Sequence, residues 1–231
     1  MRKTARLFAL FLLLVEIFSL PCQAKADPVF VTHGDRGKKQ IAITMDDCGK
    51  HQYVREMLDL CDEYGFKMTF FPIGNAIDAS EADDWRRMVQ SGHEIGNHTD
   101  RHANLIKRKS LEKVRAEMTG MENKLNDVLG YEYKISLMRP PFGSIFDSGM
   151  RTAKRLELCG YPYIILWSIS ETNAEKMLKK VQNGDILLYH SYKKDVDGLR
   201  KAIPVLLERG YELVTVSQLL DLNENFYIKG N

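Results

Sequence analysis

An alternation constrains this chain more than any other feature. Seven short apolar runs, at 40–45, 67–72, 93–97, 134–138, 163–167, 185–189 and 212–216, are bounded by Gly, Pro or polar clusters and read as strands. Helical periodicity fills the intervals. Residues 53–64 put Val54, Met57, Leu58 and Cys61 on one stripe; 110–129 opens on Ser110 as an N-cap; 197–208 and 217–222 complete the set. Repeated strand–helix units require a parallel sheet, and right-handed crossovers favour a closed or nearly closed barrel. The expected fold is therefore α/β, in a single domain, for which 231 residues suffice.

The ends of the chain depart from this pattern. Met1-Arg2-Lys3 and Arg6 precede an apolar stretch from Leu7 to Leu20, and Ala24-Lys25-Ala26 follows as a small-x-small cleavage site. The stretch is short for a bilayer span, so a cleaved signal peptide is expected rather than an anchor. Pro21 before Cys22 argues against a lipoprotein. These features predict a secreted, periplasmic or cell-envelope protein with no stable membrane insertion after cleavage. The expected division is signal peptide 1–26, lead-in 27–39, catalytic domain 40–222 and tail 223–231. A net charge of +2 with interspersed signs gives no reason to expect a nucleic-acid partner. Past the leader, Cys48, Cys61 and Cys159 make an odd number, so no disulfide framework follows. Nothing in the sequence sets an oligomeric state.

Chemically capable residues sit where the strand runs end. Asp46 and Asp47 close the first, His98 and His102 follow the third, Arg139 ends the fourth and His190 the sixth. Parallel barrels carry their sites on the loops at the carboxyl ends of strands, so these residues should converge on one face. Asp47, His98 and His102 offer one oxygen and two nitrogens to a divalent metal with open positions, Zn²⁺ first, Co²⁺ or Ni²⁺ as alternatives. The four-residue spacing of the histidines puts both rings on one side if the segment is a helical turn. Asp46 then stands as general base toward metal-activated water, tethered by Arg139, which favours its charged form. Pro140-Pro141 stiffens the next loop and aims the Phe142 N–H at a developing oxyanion. His190 would protonate the leaving group. Cys48 reads either as a thiol near the metal or as a small buried residue, and His51 stays a possible neighbour of the site.

Thr44-Met45-Asp46-Asp47-Cys48, the run from Gly92 to His102, Arg139-Pro140-Pro141-Phe142-Gly143 and Gly184 to His190 resemble, in order, the motifs of the polysaccharide deacetylases. The resemblance spans about 40–220. It implies a distorted (β/α)7 barrel and metal-dependent removal of acetyl groups from a polysaccharide, with the roles above kept and Leu188 lining a small pocket for the acetyl methyl. N-acetyl groups of a peptidoglycan-like or chitin-like polymer are the first expectation. An O-acetyl polysaccharide esterase and a non-catalytic glycan-binding relative are the alternatives. Two departures stand out. Met45 and Cys48 replace the Phe and Gly usual in the first motif. The fourth, usually Asp-x-x-Asp-Trp, is Ser170-Glu171-Thr172-Asn173-Ala174 here. Its second acid supports the catalytic His in the family, so Glu171, Asp195 or Asp197 would have to take that task over, or His190 is a weaker acid.

Overall fold

Strand β2 (Gln40–Asp47) is the spine of the barrel. In the computed structural model, which describes residues 28–222, six of its eight residues are buried. Such a run arises when a parallel strand is covered on both faces. Gln40 to Ala42 pair with β8 (Glu212–Val214), and Thr44 to Asp47 pair with β3 (Thr69–Pro72). On its other flank β2 pairs with β7 (Ile186–His190), and β4 (Glu94–Ile95) continues the sheet beyond β3. A second sheet runs β1 (Val29–Val31), β6 (Tyr163–Ile165), β5 (Leu137–Met138). All these pairings are parallel.

Single bridges unite the two sheets, Asn97 with Met138 and Ile169 with Leu187. The ring β2-β3-β4-β5-β6-β7 thus returns to β2. Each strand from β2 to β8 is followed by a helix: α1 (His51–Tyr64), α2 (Ala82–Gln90), α3 (Leu111–Leu129), α4 (Arg151–Leu158), α5 (Ala174–Lys180), α6 (Lys193–Glu208) and α7 (Val216–Leu219). The fold is a distorted (β/α)7 barrel.

The two-residue period of a strand sorts the core. Ile41, Ile43 and Met45 face outward and pack with Val54, Met57, Leu58 and Cys61 of α1 and with Val196, Leu199 and Ile203 of α6. Ala42 faces the interior with Phe71, Ile165 and Ile186. Gly96 keeps that interior open, because a Cβ there would collide with the Phe71 ring. The seven runs expected as strands are β2 to β8, although β4 and β5 contract to two residues each. The structure adds β1 within the lead-in, and α2, α4 and α5 in stretches where no helix is expected from the sequence. The proposed leader and tail lie outside the described residues. Among those described, no helix is long and apolar enough to cross a membrane.

His93, at the entry to β4, behaves as a packing residue. It is 1 % exposed, its Nδ1 accepts the Met68 N–H at 3.3 Å, and Nε2 has no partner among the described residues. Burial, aided by the positive charge of Lys67, holds its pKa down to about 4. An unfolded chain protonates this imidazole near pH 6.5, whereas the folded one resists until about pH 4. Stability is therefore full above pH 6.5 and falls as the pH drops toward 4, by about 3 kcal/mol in this window. Urea denaturation across pH 4 to 7 should show that loss, and His93→Gln should flatten it; an equally steep variant would assign the acid sensitivity elsewhere.

Candidate active site

The same alternation that buries Ala42 turns Thr44 and Asp46 inward at the carboxyl end of β2. His190 is the register partner of Asp46 on β7, so both side chains project to the same side of the sheet. Asp47 should by alternation point away. Its backbone leaves the strand region instead, at φ 64°, with Cys48 following at φ 56°, and the carboxylate turns back over the barrel mouth. Left-handed conformations cost a non-glycine residue about 1 kcal/mol or more and persist where the surroundings enforce them. Thr99 (φ 71°), His102 (φ 54°) and Phe142 (φ 63°) share this region, so backbone strain gathers at one end of the barrel.

Arg139 lies beneath this end, fully buried. Its Nη1 donates to Thr44 Oγ1 and Asp46 Oδ1, each at 2.7 Å; Nη2 donates to the Leu166 carbonyl at 2.9 Å and Nε to that of Ile165 at 3.3 Å. The guanidinium also stacks over the Phe71 ring, 4.3 Å from its centroid. Asp46, 3 % exposed, is thus held by one oxygen, and Oδ2 is left to face His98 Nε2 at 3.7 Å.

The histidines are brought together by tertiary contacts rather than by a helical turn. Residues 98–102 are irregular, which corrects the helical-turn expectation. His98 Nδ1 donates to the Arg139 carbonyl at 2.7 Å, leaving Nε2 with its lone pair toward the mouth. Burial lowers the His98 pKa, against the pull of Asp46, and so favours the neutral, ligating form. Asn97 anchors the segment: its Oδ1 accepts the Thr99 N–H at 2.8 Å, and its Nδ2 donates to the Met118 carbonyl and the Tyr161 hydroxyl at 3.1 and 2.7 Å. Asp100 pairs with Lys124 at 2.6 Å, seated where a Cβ on Gly74 or Gly120 would intrude.

Asp47 Oδ1 ends 3.5 Å from His98 Nε2 and 3.4 Å from His102 Nε2. It is buried and has no hydrogen-bond partner among the described residues. An orphaned carboxylate oxygen between two imidazole nitrogens is unfavourable unless a cation sits among them. The three ligand atoms lie within 4.8 Å of one another, which suits a small divalent ion. A metal therefore fits this donor set.

Phe142 lies 65 % exposed with its ring 4.5 Å from that of His102, at the rim. Leu188 and half-buried His190 line the cleft on the other side with Asp47 and Tyr192. Lys50 sits over the exposed Tyr192 ring at 4.8 Å. Cys48 is not metal-facing in character: it is fully buried, its thiol donates to the Met45 carbonyl, and burial raises its pKa well above normal, so it stays protonated. His51 is away from the site, with Nε2 donating to the Ala76 carbonyl at 2.7 Å and its ring edge-on to Trp85.

The profile of the polysaccharide deacetylase family matches residues 33–164. The chain belongs to that family. It is 33 % identical over 205 residues to a peptidoglycan-N-acetylglucosamine deacetylase of Bacillus cereus, covering 79 % of this chain and 89 % of that one. It is 28 % identical over 219 residues to the peptidoglycan-N-acetylmuramic acid deacetylase PdaC of Bacillus subtilis, covering 90 % of this chain but only 43 % of that longer protein. A family 4 carbohydrate esterase from Bacillus anthracis superposes with a TM-score of 0.70 at 31 % identity, over 84 % of this chain and 88 % of that one.

Within this deacetylase frame, several supporting residues went unread in the sequence. Thr44 carries Arg139, Asn97 ties the histidine segment, and Gly74 and Gly120 accommodate Asp100. Asn97 had a signal, a polar residue ending a strand beside a histidine. The two glycines had none, because they meet Asp100 only across the fold.

Proposed function

We propose that this protein hydrolyses N-acetyl groups of an amino-sugar polymer of the peptidoglycan type, with a divalent ion, Zn²⁺ first, held by Asp47, His98 and His102. The observation that carries this reading is the buried, partnerless Asp47 Oδ1 between two imidazole nitrogens at 3.5 and 3.4 Å. When bound, such an ion polarises the acetyl carbonyl and makes water more acidic. Asp46 Oδ2 takes the proton from the attacking water, while Arg139 fixes Oδ1. The Phe142 N–H, presented by the strained turn after Pro140-Pro141, is directed at the oxygen that gains charge. His190, across the cleft, returns a proton to the amine nitrogen as the carbon–nitrogen bond breaks, and acetate leaves. Leu188 supplies apolar surface for the acetyl methyl. Exposed Phe142 and Tyr192 offer ring faces on which sugar rings can stack. Peptidoglycan as substrate, and hence an extracytoplasmic location reached through the leader at 1–26, is supported by the activities named for the relatives in Bacillus.

Acetate release from peptidoglycan by the purified chain should disappear with chelator and return with Zn²⁺ or Co²⁺, and His98→Ala should fail to bind one equivalent of ion. Chelator-insensitive release, or no ion binding, would remove the basis of the proposal. Release only from acetylated xylan would transfer it to an O-acetyl esterase. Tight ion binding without any release would point to a glycan-binding relative.

A further inference from the structure

Asp195 is a buried carboxylate that the reaction as described does not use. It is 1 % exposed, and its Oδ2 has no hydrogen-bond partner among the described residues. It lines the same cleft as Asp47, Leu188 and His190. As third residue of α6 it complements the positive end of the helix dipole. That role needs only a surface acid, and accounts neither for its burial nor for the unpaired oxygen in the cleft.

The other carboxylates near the altered fourth motif are already engaged. Asn173, in place of the family's acid, caps α5 by accepting the Lys176 N–H at 3.0 Å. Glu171 accepts the Asn173 N–H at 3.0 Å and pairs with Lys180 at 3.5 Å. Asp197 pairs with Lys193 at 2.6 Å in the open. We propose that Asp195 is the positioning residue for His190, orienting its imidazole and stabilising the imidazolium in place of the acid lost at Asn173. This rests on the reading of His190 as the proton donor. Burial raises the Asp195 pKa, and the charge of His190 draws it back. The titratable groups lining the cleft with His190 are Asp47, Glu171, Tyr192, Lys194 and Asp195, and Asp46 is its register partner on β2. Among the acids, Asp46 is neutralised by Arg139 and Asp47 faces the other histidines.

The test is an NMR titration of the His190 imidazole in the full chain without metal or substrate, its resonance assigned by its loss in His190→Gln. In the unmodified protein the His190 pKa should lie above the ordinary 6.5. Asp195→Asn should lower it by about one unit, because the imidazolium loses its counter-charge, and Asp195→Glu should restore part of the shift. Asp197→Asn and Glu171→Gln should leave it in place. In activity, the alkaline limb of the kcat/KM profile should move down by the same amount. An unchanged His190 pKa in folded Asp195→Asn overturns the proposal, as does an equal shift in Asp197→Asn. If Asp195→Asn does not fold, a pKa of 6.5 or below in the unmodified protein overturns it and one above 6.5 upholds it. Because the titration needs no turnover, an inactive chain with a raised His190 pKa would sink the deacetylase reading while leaving this pairing intact.

Discussion

Asp46→Asn should lower kcat/KM for acetyl release by roughly 10² to 10⁴-fold, the range for loss of a positioned general base. The substitution is nearly isosteric, and the amide oxygen can still accept from Arg139 Nη1, which now bonds Oδ1 at 2.7 Å. Ion binding should survive, since Asp47, His98 and His102 are untouched. The folded state should weaken too, because buried Arg139 keeps its hydrogen bond but loses its counter-charge, by less than the about 3–5 kcal/mol of removing a partner outright. The measurement is kcat/KM beside metal stoichiometry on the same preparation. A variant that binds its ion and keeps activity within a few-fold would show that Asp46 is structural and that another group accepts the proton.

Arg139→Met should produce the largest loss of stability, about 3–5 kcal/mol, the usual result of removing one partner from a buried ion pair. Methionine fills much of the space over Phe71 and is apolar, so the loss isolates the charge and its four hydrogen bonds to Thr44, Asp46, Ile165 and Leu166. For a domain of this size that is a fall in Tm of roughly 10 °C. Asp46 would then be a buried carboxylate without a counter-charge or a fixed orientation, so activity should fall with stability. Arg139→Lys should recover only part of either effect, since one ammonium cannot reach both side-chain acceptors and two carbonyls together. Chemical denaturation and activity of both variants check this; a Met variant as stable as the parent would mean that Arg139 is not the tether.

Much of the barrel was readable because its signals are local. The run at 40–45 and the stripe Val54, Met57, Leu58, Cys61 declare strand and helix by their own period, and both are buried as that period demands. β1 was not readable. Three residues with one buried have no pattern of their own and become a strand only by pairing with β6. Helix α2 hides its buried Trp85, Met88 and Val89 among charges over nine residues. The histidine segment shows the converse failure. A spacing of four suggests a helical turn, but Thr99 and His102 adopt left-handed backbone that no periodicity announces.

Strand period and turn residues act over a few positions of chain, so the chemical groups at the carboxyl ends of strands are legible without the fold. Asp46, Asp47, His98, His102, Arg139 and His190 were recognisable on that ground, together with the order of the motifs. That Asp47 turns back into the mouth and leaves one oxygen without a partner among the described residues depends on the closed fold. The closed fold also separates Glu171, Asp195 and Asp197 by burial and partners, although they look equivalent as sequence. The first and last are satisfied by nearby partners, and Asp195 is buried in the cleft with an oxygen that has no partner among the described residues. Burial and competition for partners are set by contacts between distant segments, so they come into being only when the chain closes on itself.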